Sequence, residues 1–99
     1  MTQAELKKIL ETALQAIMVE VTDESALHRG HHGFSGKAGT HFRCVIVSPL
    51  FDERSLLERH QLVYACLPNI MGCEIHALAL QTLSTSEWHK KISTNPTSV

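Results

Sequence analysis

Aromatic residues are scarce, with one Trp, one Tyr and three Phe among 99 residues. That leaves few π faces on which unpaired bases could stack, which counts against a single-strand nucleic-acid groove. Neither sign of charge is in excess. Nine Lys+Arg stand against ten Asp+Glu, for a formal net charge of −1, so a general electrostatic grip on nucleic acid or anionic lipid is not expected. No apolar run approaches the roughly 20 residues of a membrane span. The opening Met1-Thr2-Gln3-Ala4-Glu5 has neither a secretory apolar region nor an Arg-rich transit pattern. Cysteine numbers only three, with no Cys-x-x-Cys pair. This argues against a disulfide framework and for a reducing, cytoplasmic setting. No nucleophile–base set, phosphate loop or paired-carboxylate motif is visible, so the chain is not expected to be an enzyme.

What remains is ordinary globular composition, 43% hydrophobic and 19% charged, enough for one self-supporting domain. That domain is expected over residues 1–92, with 93–99 a polar, mobile tail. Histidine is the exception. There are seven, and His28, His31, His32 and His41 crowd one stretch.

Hydrophobic spacing predicts six elements. Thr2 and Glu5 form a capping box ahead of Leu6, Ile9, Leu10, Ala13, Leu14 and Ile17 at helical spacing. Met18 to Thr22 alternates as a strand. Asp23 to Thr40, rich in glycine and histidine, reads as a long loop, and such loops are usually functional or disordered. His41 to Val47 is a second strand, ended by Ser48-Pro49. Ser55 and Glu58 cap a helix whose apolar stripe is Leu56, His60, Val63, Tyr64 and Leu67, halted by Pro68. Glu74 to Leu83 is the most apolar strand and is expected to be central. Ser84 and Glu87 then cap a short last helix anchored by Trp88. The fold class is therefore α+β, in the order α-β-β-α-β-α, with helices covering one face of a three-stranded mixed sheet.

Topology brings distant residues together. Strands one and two, joined directly, should be antiparallel; the helical crossover from strand two to strand three should be parallel and right-handed. Parallel strands begin at the same edge of a sheet, so His41 and His76 should lie at one end, where the histidine-rich loop also enters. Lone strand-end histidines are more often structural than ligands, and His41 is read that way. His60 falls on the helix stripe as a half-buried packing residue, and His89 as surface. Cys44 and Cys66 sit in apolar patterns as small core hydrophobes. Cys73, three residues before His76, offers a minor alternative ligand.

Several collinear segments resemble the BolA family: Val19-Glu20-Val21-Thr22-Asp23-Glu24-Ser25, Thr40-His41-Phe42, Arg59-His60, Ile75-His76-Ala77-Leu78-Ala79-Leu80 and Ser86-Glu87-Trp88. The resemblance implies a fold related to the class II KH domain and a non-enzymatic adaptor role. It implies a monothiol glutaredoxin as partner, with a [2Fe–2S] cluster shared between the two and glutathione, in iron–sulfur assembly, trafficking or iron sensing. His76 would be the constant ligand. The second would come from the loop, where family spacing selects His32, with His28 or His31 as substitutes; Cys73, outside the loop, is a less favoured alternative. Imidazole can replace thiolate on one iron of such a centre. Neutral imidazoles without a thiolate shell suit soft iron–sulfur centres poorly, so no tightly bound cluster is expected in the chain alone. A homodimer is left open.

The alternative implied by the fold and by some relatives is a nucleic-acid-binding transcriptional regulator using Arg59, His60, Lys90 and Lys91. The family's usual Arg-His-Arg is interrupted here by Gln61, and Phe51 is followed by Asp52-Glu53 rather than glycine.

Overall fold

The computed structural model describes residues 1–25 and 40–93. Helix α1 covers Gln3–Leu14, strand β1 Met18–Asp23, strand β2 His41–Val47, helix α2 Leu56–Ala65, strand β3 Ala77–Leu83 and helix α3 Thr85–Ser93. All three expected capping boxes form. The Thr2 hydroxyl accepts from the Glu5 N–H while the Glu5 carboxylate accepts from the Thr2 N–H, and Ser55–Glu58 and Ser84–Glu87 repeat the exchange.

Sheet order is β1-β2-β3, with β1 antiparallel and β3 parallel to β2. The orientations agree with the sequence reading; the expected central position of the third strand does not. β2 is central and β3 is an edge. β1 occupies one side of β2, so a strand parallel to β2 can only take the other. The apolarity of β3 comes from Leu78 and Leu80, which pack against the core, and from alanines that are small enough to leave partly exposed. β3 also starts later than expected. Residues 70–75 instead fold into a turn in which the Ile70 carbonyl accepts from the N–H groups of Cys73, Glu74 and Ile75. Gly72 supplies the left-handed backbone there, at φ 86°.

The core lies between α1, α2 and one sheet face, centred on Leu6, Leu10, Leu14, Val19, Phe42, Cys44, Ile46, Phe51, Val63, Leu67 and Ile75. Ala13 and Ile17, expected on the buried stripe of α1, are exposed. Ser48 ties three elements at the far end of β2. Its hydroxyl donates to the Leu14 carbonyl and accepts from the Leu50 N–H, while its own N–H donates to the Leu83 carbonyl.

The stripe expected on α2 is also displaced. Leu56 is 66% exposed and Tyr64 41%, whereas Arg59 is only 7% exposed. The Arg59 guanidinium donates to the Arg54 and Thr82 carbonyls and to both carboxylate oxygens of Glu87, the closest at 2.7 Å. A buried guanidinium is tolerated because each of its three nitrogens has an acceptor, one of them a carboxylate. This network joins α2, β3 and α3. α3 continues through Ser93, one residue into the expected tail, and 94–99 lie outside the described residues.

Hydrogen bonds from Arg59, and from the Ser84 backbone, hold the Glu87 carboxyl down at about 2 against its ordinary 4.5. A depressed carboxyl contributes stability that is present above pH 4.5 and lost as pH falls from there towards 2. Glu87→Gln should lower stability at pH 7 by roughly 1 kcal/mol, modest because Glu87 is about half exposed. Thermal unfolding of both proteins across pH 7 to 2 should show the difference shrinking progressively below pH 4.5 as pH approaches 2.

Candidate functional site

The site is built where β2 and β3 begin side by side. Thr40 immediately precedes β2, and its carbonyl accepts from the His76 N–H at 2.8 Å and the Ala77 N–H at 3.3 Å. The parallel register pairs His41 with Ala77. The two imidazoles consequently meet edge to face, with ring centroids 6.0 Å apart and planes at 81°. The expected convergence of His41 and His76 at one sheet end is present.

The two ends of the intervening loop are stapled at the same place. Ser25 and Thr40 are buried. The Ser25 hydroxyl accepts from the N–H groups of Thr40, at 3.0 Å, and His41, at 3.2 Å, while the Ser25 N–H donates to the Asp23 carboxylate at 2.9 Å. The Thr40 hydroxyl and His41 Nδ1 lie 2.9 Å apart, which fixes the orientation of that ring. Residues 26–39 leave from and return to this staple. His31 and His32, the expected loop ligands, lie outside the described residues.

His76 is exposed. The fold uses its backbone, and among the described residues its imidazole makes no hydrogen bond. Cys73, in the turn just before it, is exposed as well, whereas Cys44 is buried and Cys66 half-buried. Burial pushes the Cys44 thiol up to about 11 and raises that of Cys66, which keeps both protonated. Among the described residues no group of three or more His, Cys, Asp or Glu is gathered to hold a metal ion. The arrangement offers imidazole at an accessible edge, without a thiolate shell of its own.

The residues of the alternative reading are dispersed differently. Arg59 has its guanidinium committed inside the fold, His60 is half-buried on α2, and Lys90 and Lys91 are exposed in the last turn of α3. Sequence reasoning missed the commitment of Arg59. The signal was available in Ser84-x-x-Glu87, which places a carboxylate at the mouth of the last helix, but nothing local pointed to its partner. No helix among the described residues is long and apolar enough to cross a membrane.

The fold defined by this order of elements, a three-stranded mixed sheet with β2 parallel to the edge strand β3, is that of solved BolA-like proteins. It matches the BolA domain of SufE1 from Arabidopsis thaliana with a TM-score of 0.76 and 33% identity, covering 86% of this chain and 93% of that one. BolA1 from Arabidopsis thaliana matches with a TM-score of 0.74 and 31% identity, covering 88% and 95%. The chain belongs to the BolA family, whose model, described as BolA-like protein, matches residues 10–87. BolA-like protein 1 of Homo sapiens is 35% identical over 96 residues, covering 95% of this chain and 67% of that protein. The DNA-binding transcriptional regulator BolA of Escherichia coli is 34% identical over 88 residues, covering 89% and 80%.

The thiol environments generate a direct test. At pH 8 under native conditions, alkylation should label Cys73 quickly and leave Cys44 unmodified until the chain is unfolded. Peptide mass spectrometry reads the sites, and Cys73→Ser should remove the fast phase.

Proposed function

We propose that this chain is the adaptor half of a complex with a monothiol glutaredoxin, and that the two hold a [2Fe–2S] cluster between them with glutathione for iron–sulfur assembly, trafficking or iron sensing. The observation that supports this most is His76. It is anchored through its backbone at a sheet edge, its ring is turned outward, and it stands beside the staple from which the loop carrying His31 and His32 departs. The donor set fits a shared cluster better than one owned by this chain. Imidazole suits one iron of a mixed-ligand centre, and the buried, protonated Cys44 and the half-buried Cys66 are poor thiolate donors, so the sulfur ligands would come from the partner. Three free cysteines, one of them exposed, suit a reducing compartment such as the cytoplasm.

In this reading His76 is the constant ligand from this chain, and His32 the second, ahead of His31 and Cys73. No catalytic step is assigned. The chain would orient an imidazole donor towards a cluster delivered as cargo.

The second reading, a nucleic-acid-binding regulator, is supported by what the Escherichia coli relative is named for. Without Arg59, the cationic residues left for it in the original set are Lys90 and Lys91, in a chain whose formal charge is −1. A binding titration against salt separates the two, since several phosphate contacts would give a log–log slope of several units.

His76→Ala should leave the unfolding temperature within the shift of about 1 kcal/mol typical of an exposed site. It should retain glutaredoxin binding, and lower cluster occupancy or shift the visible spectrum of the co-purified complex. An unchanged spectrum with a severe loss of stability would instead make His76 a structural residue. His32→Ala should alter the same spectrum with no effect on folding; an effect confined to His31→Ala or Cys73→Ala would move the second ligand to that residue.

A further inference from the structure

The two edges of the sheet differ in charge. The outward backbone groups of Val19 and Val21 on β1 have no partner among the described residues, like those of Leu78 and Leu80 on β3, but β1 carries acidic side chains and β3 carries none. Hydrogen bonds from Glu24 N–H to the His41 carbonyl and from Ser48 N–H to the Leu83 carbonyl fix which backbone groups face inward. With the registers of both strand pairs, they turn residues 19, 21 and 23 of β1 outward, and residues 78, 80 and 82 of β3. On β1 the outward Asp23 N–H is capped by the Gln3 side chain at 2.6 Å, and the strand carries Glu20 and Asp23. On β3 the outward Thr82 carbonyl is capped by Arg59. The N–H and C=O groups of Leu78 and Leu80 have no hydrogen-bond partner among the described residues. β3 itself, Ala-Leu-Ala-Leu-Gln-Thr-Leu, contains no charge and no proline, the devices by which edge strands normally avoid pairing.

We propose that β3 is a self-pairing edge. Two copies of the chain would join antiparallel across a two-fold axis at Ala79, extending both sheets into one of six strands. That register is selected by the groups left open. It sets Leu78 opposite Leu80 of the second copy, twice, and so pairs all four open backbone groups of each chain while leaving the Thr82 carbonyl with Arg59. Ala79 meets its own copy at the axis as a non-hydrogen-bonded pair, the closest approach in an antiparallel ladder and one that a methyl side chain fits. The leucine pairs add cross-strand apolar contact, and the uncharged strand brings no like charges together. An isologous contact of this kind closes at two chains and does not propagate through β3.

The test follows molecular mass by sedimentation, and amide hydrogen exchange by NMR, on the full chain from micromolar to millimolar concentration. The dimer should appear as concentration rises, with the Leu78 and Leu80 amides gaining protection in step with it. Ala77 and Ala79, whose amides already point to β2, should change little. Ala79→Lys, at a partly exposed position, should weaken the dimer by about tenfold or more through like charges facing each other at the axis. A chain that stays monomeric at millimolar concentration overturns the proposal, as does a dimer in which Leu78 and Leu80 remain unprotected. Exchange in the wild-type chain decides the matter even should Ala79→Lys fold poorly.

Discussion

The hydrogen bond from the His76 N–H to the Thr40 carbonyl is the constraint on which the geometry of the site rests. It sits immediately ahead of the parallel ladder, which opens with His41 beside Ala77, and so helps set where β3 starts relative to β2. Through the register it fixes which β3 residues face the core and which backbone groups are left at the edge. Because the bond engages only the backbone of His76, the side chain is released from structural duty at the one point where the loop staple of Ser25 and Thr40 also closes. Shifting the ladder by one residue would send Leu78 and Leu80 to the opposite face of the sheet and separate His76 from His41.

Most of the architecture was legible in the sequence because its signals are local and redundant. The capping boxes, the alternation of β2 and the turn at Ser48-Pro49 each act within a few residues, and each appears where the spacing put it. Handedness and direction rules then carried the reading from elements to a site, bringing residues 41 and 76 together across the length of α2. Apolarity points β3 to the centre of the sheet because composition alone does not distinguish burial on one face from burial on both. With β1 on one side of β2, parallel pairing of β3 to the other side leaves β3 at the edge.

Arg59 marks the limit of that kind of reading. Helical periodicity assigns it to solvent, and with it rotates the buried face of α2 towards Leu56 and Tyr64. The structure rotates the face back, because a carboxylate on α3, the Thr82 carbonyl on β3 and the Arg54 carbonyl before α2 converge on the guanidinium. Such convergence is tertiary and has no sequence period. The same network then explains why the basic middle-helix motif, suggestive as a nucleic-acid contact, is occupied in holding three elements together. A residue that a fold needs as an internal cross-link is poorly available to a phosphate, since leaving its carboxylate would uncover a buried charge.

Division of labour between the two ends of the sheet follows. At the C-terminal ends of β2 and β3, Ser48, Arg59 and Glu87 use nearly every polar group to fasten helices to strands. At the other end the polar groups of Ser25, Thr40 and Asp23 are spent on the loop's two anchor points, and the imidazole of His76 is left over. A ligand must be held in place without being satisfied by its own fold. An exposed histidine whose backbone is fixed and whose ring makes no hydrogen bond among the described residues meets both conditions. It does so at an edge, where a second protein can approach without disturbing the core on which α1 and α2 rest.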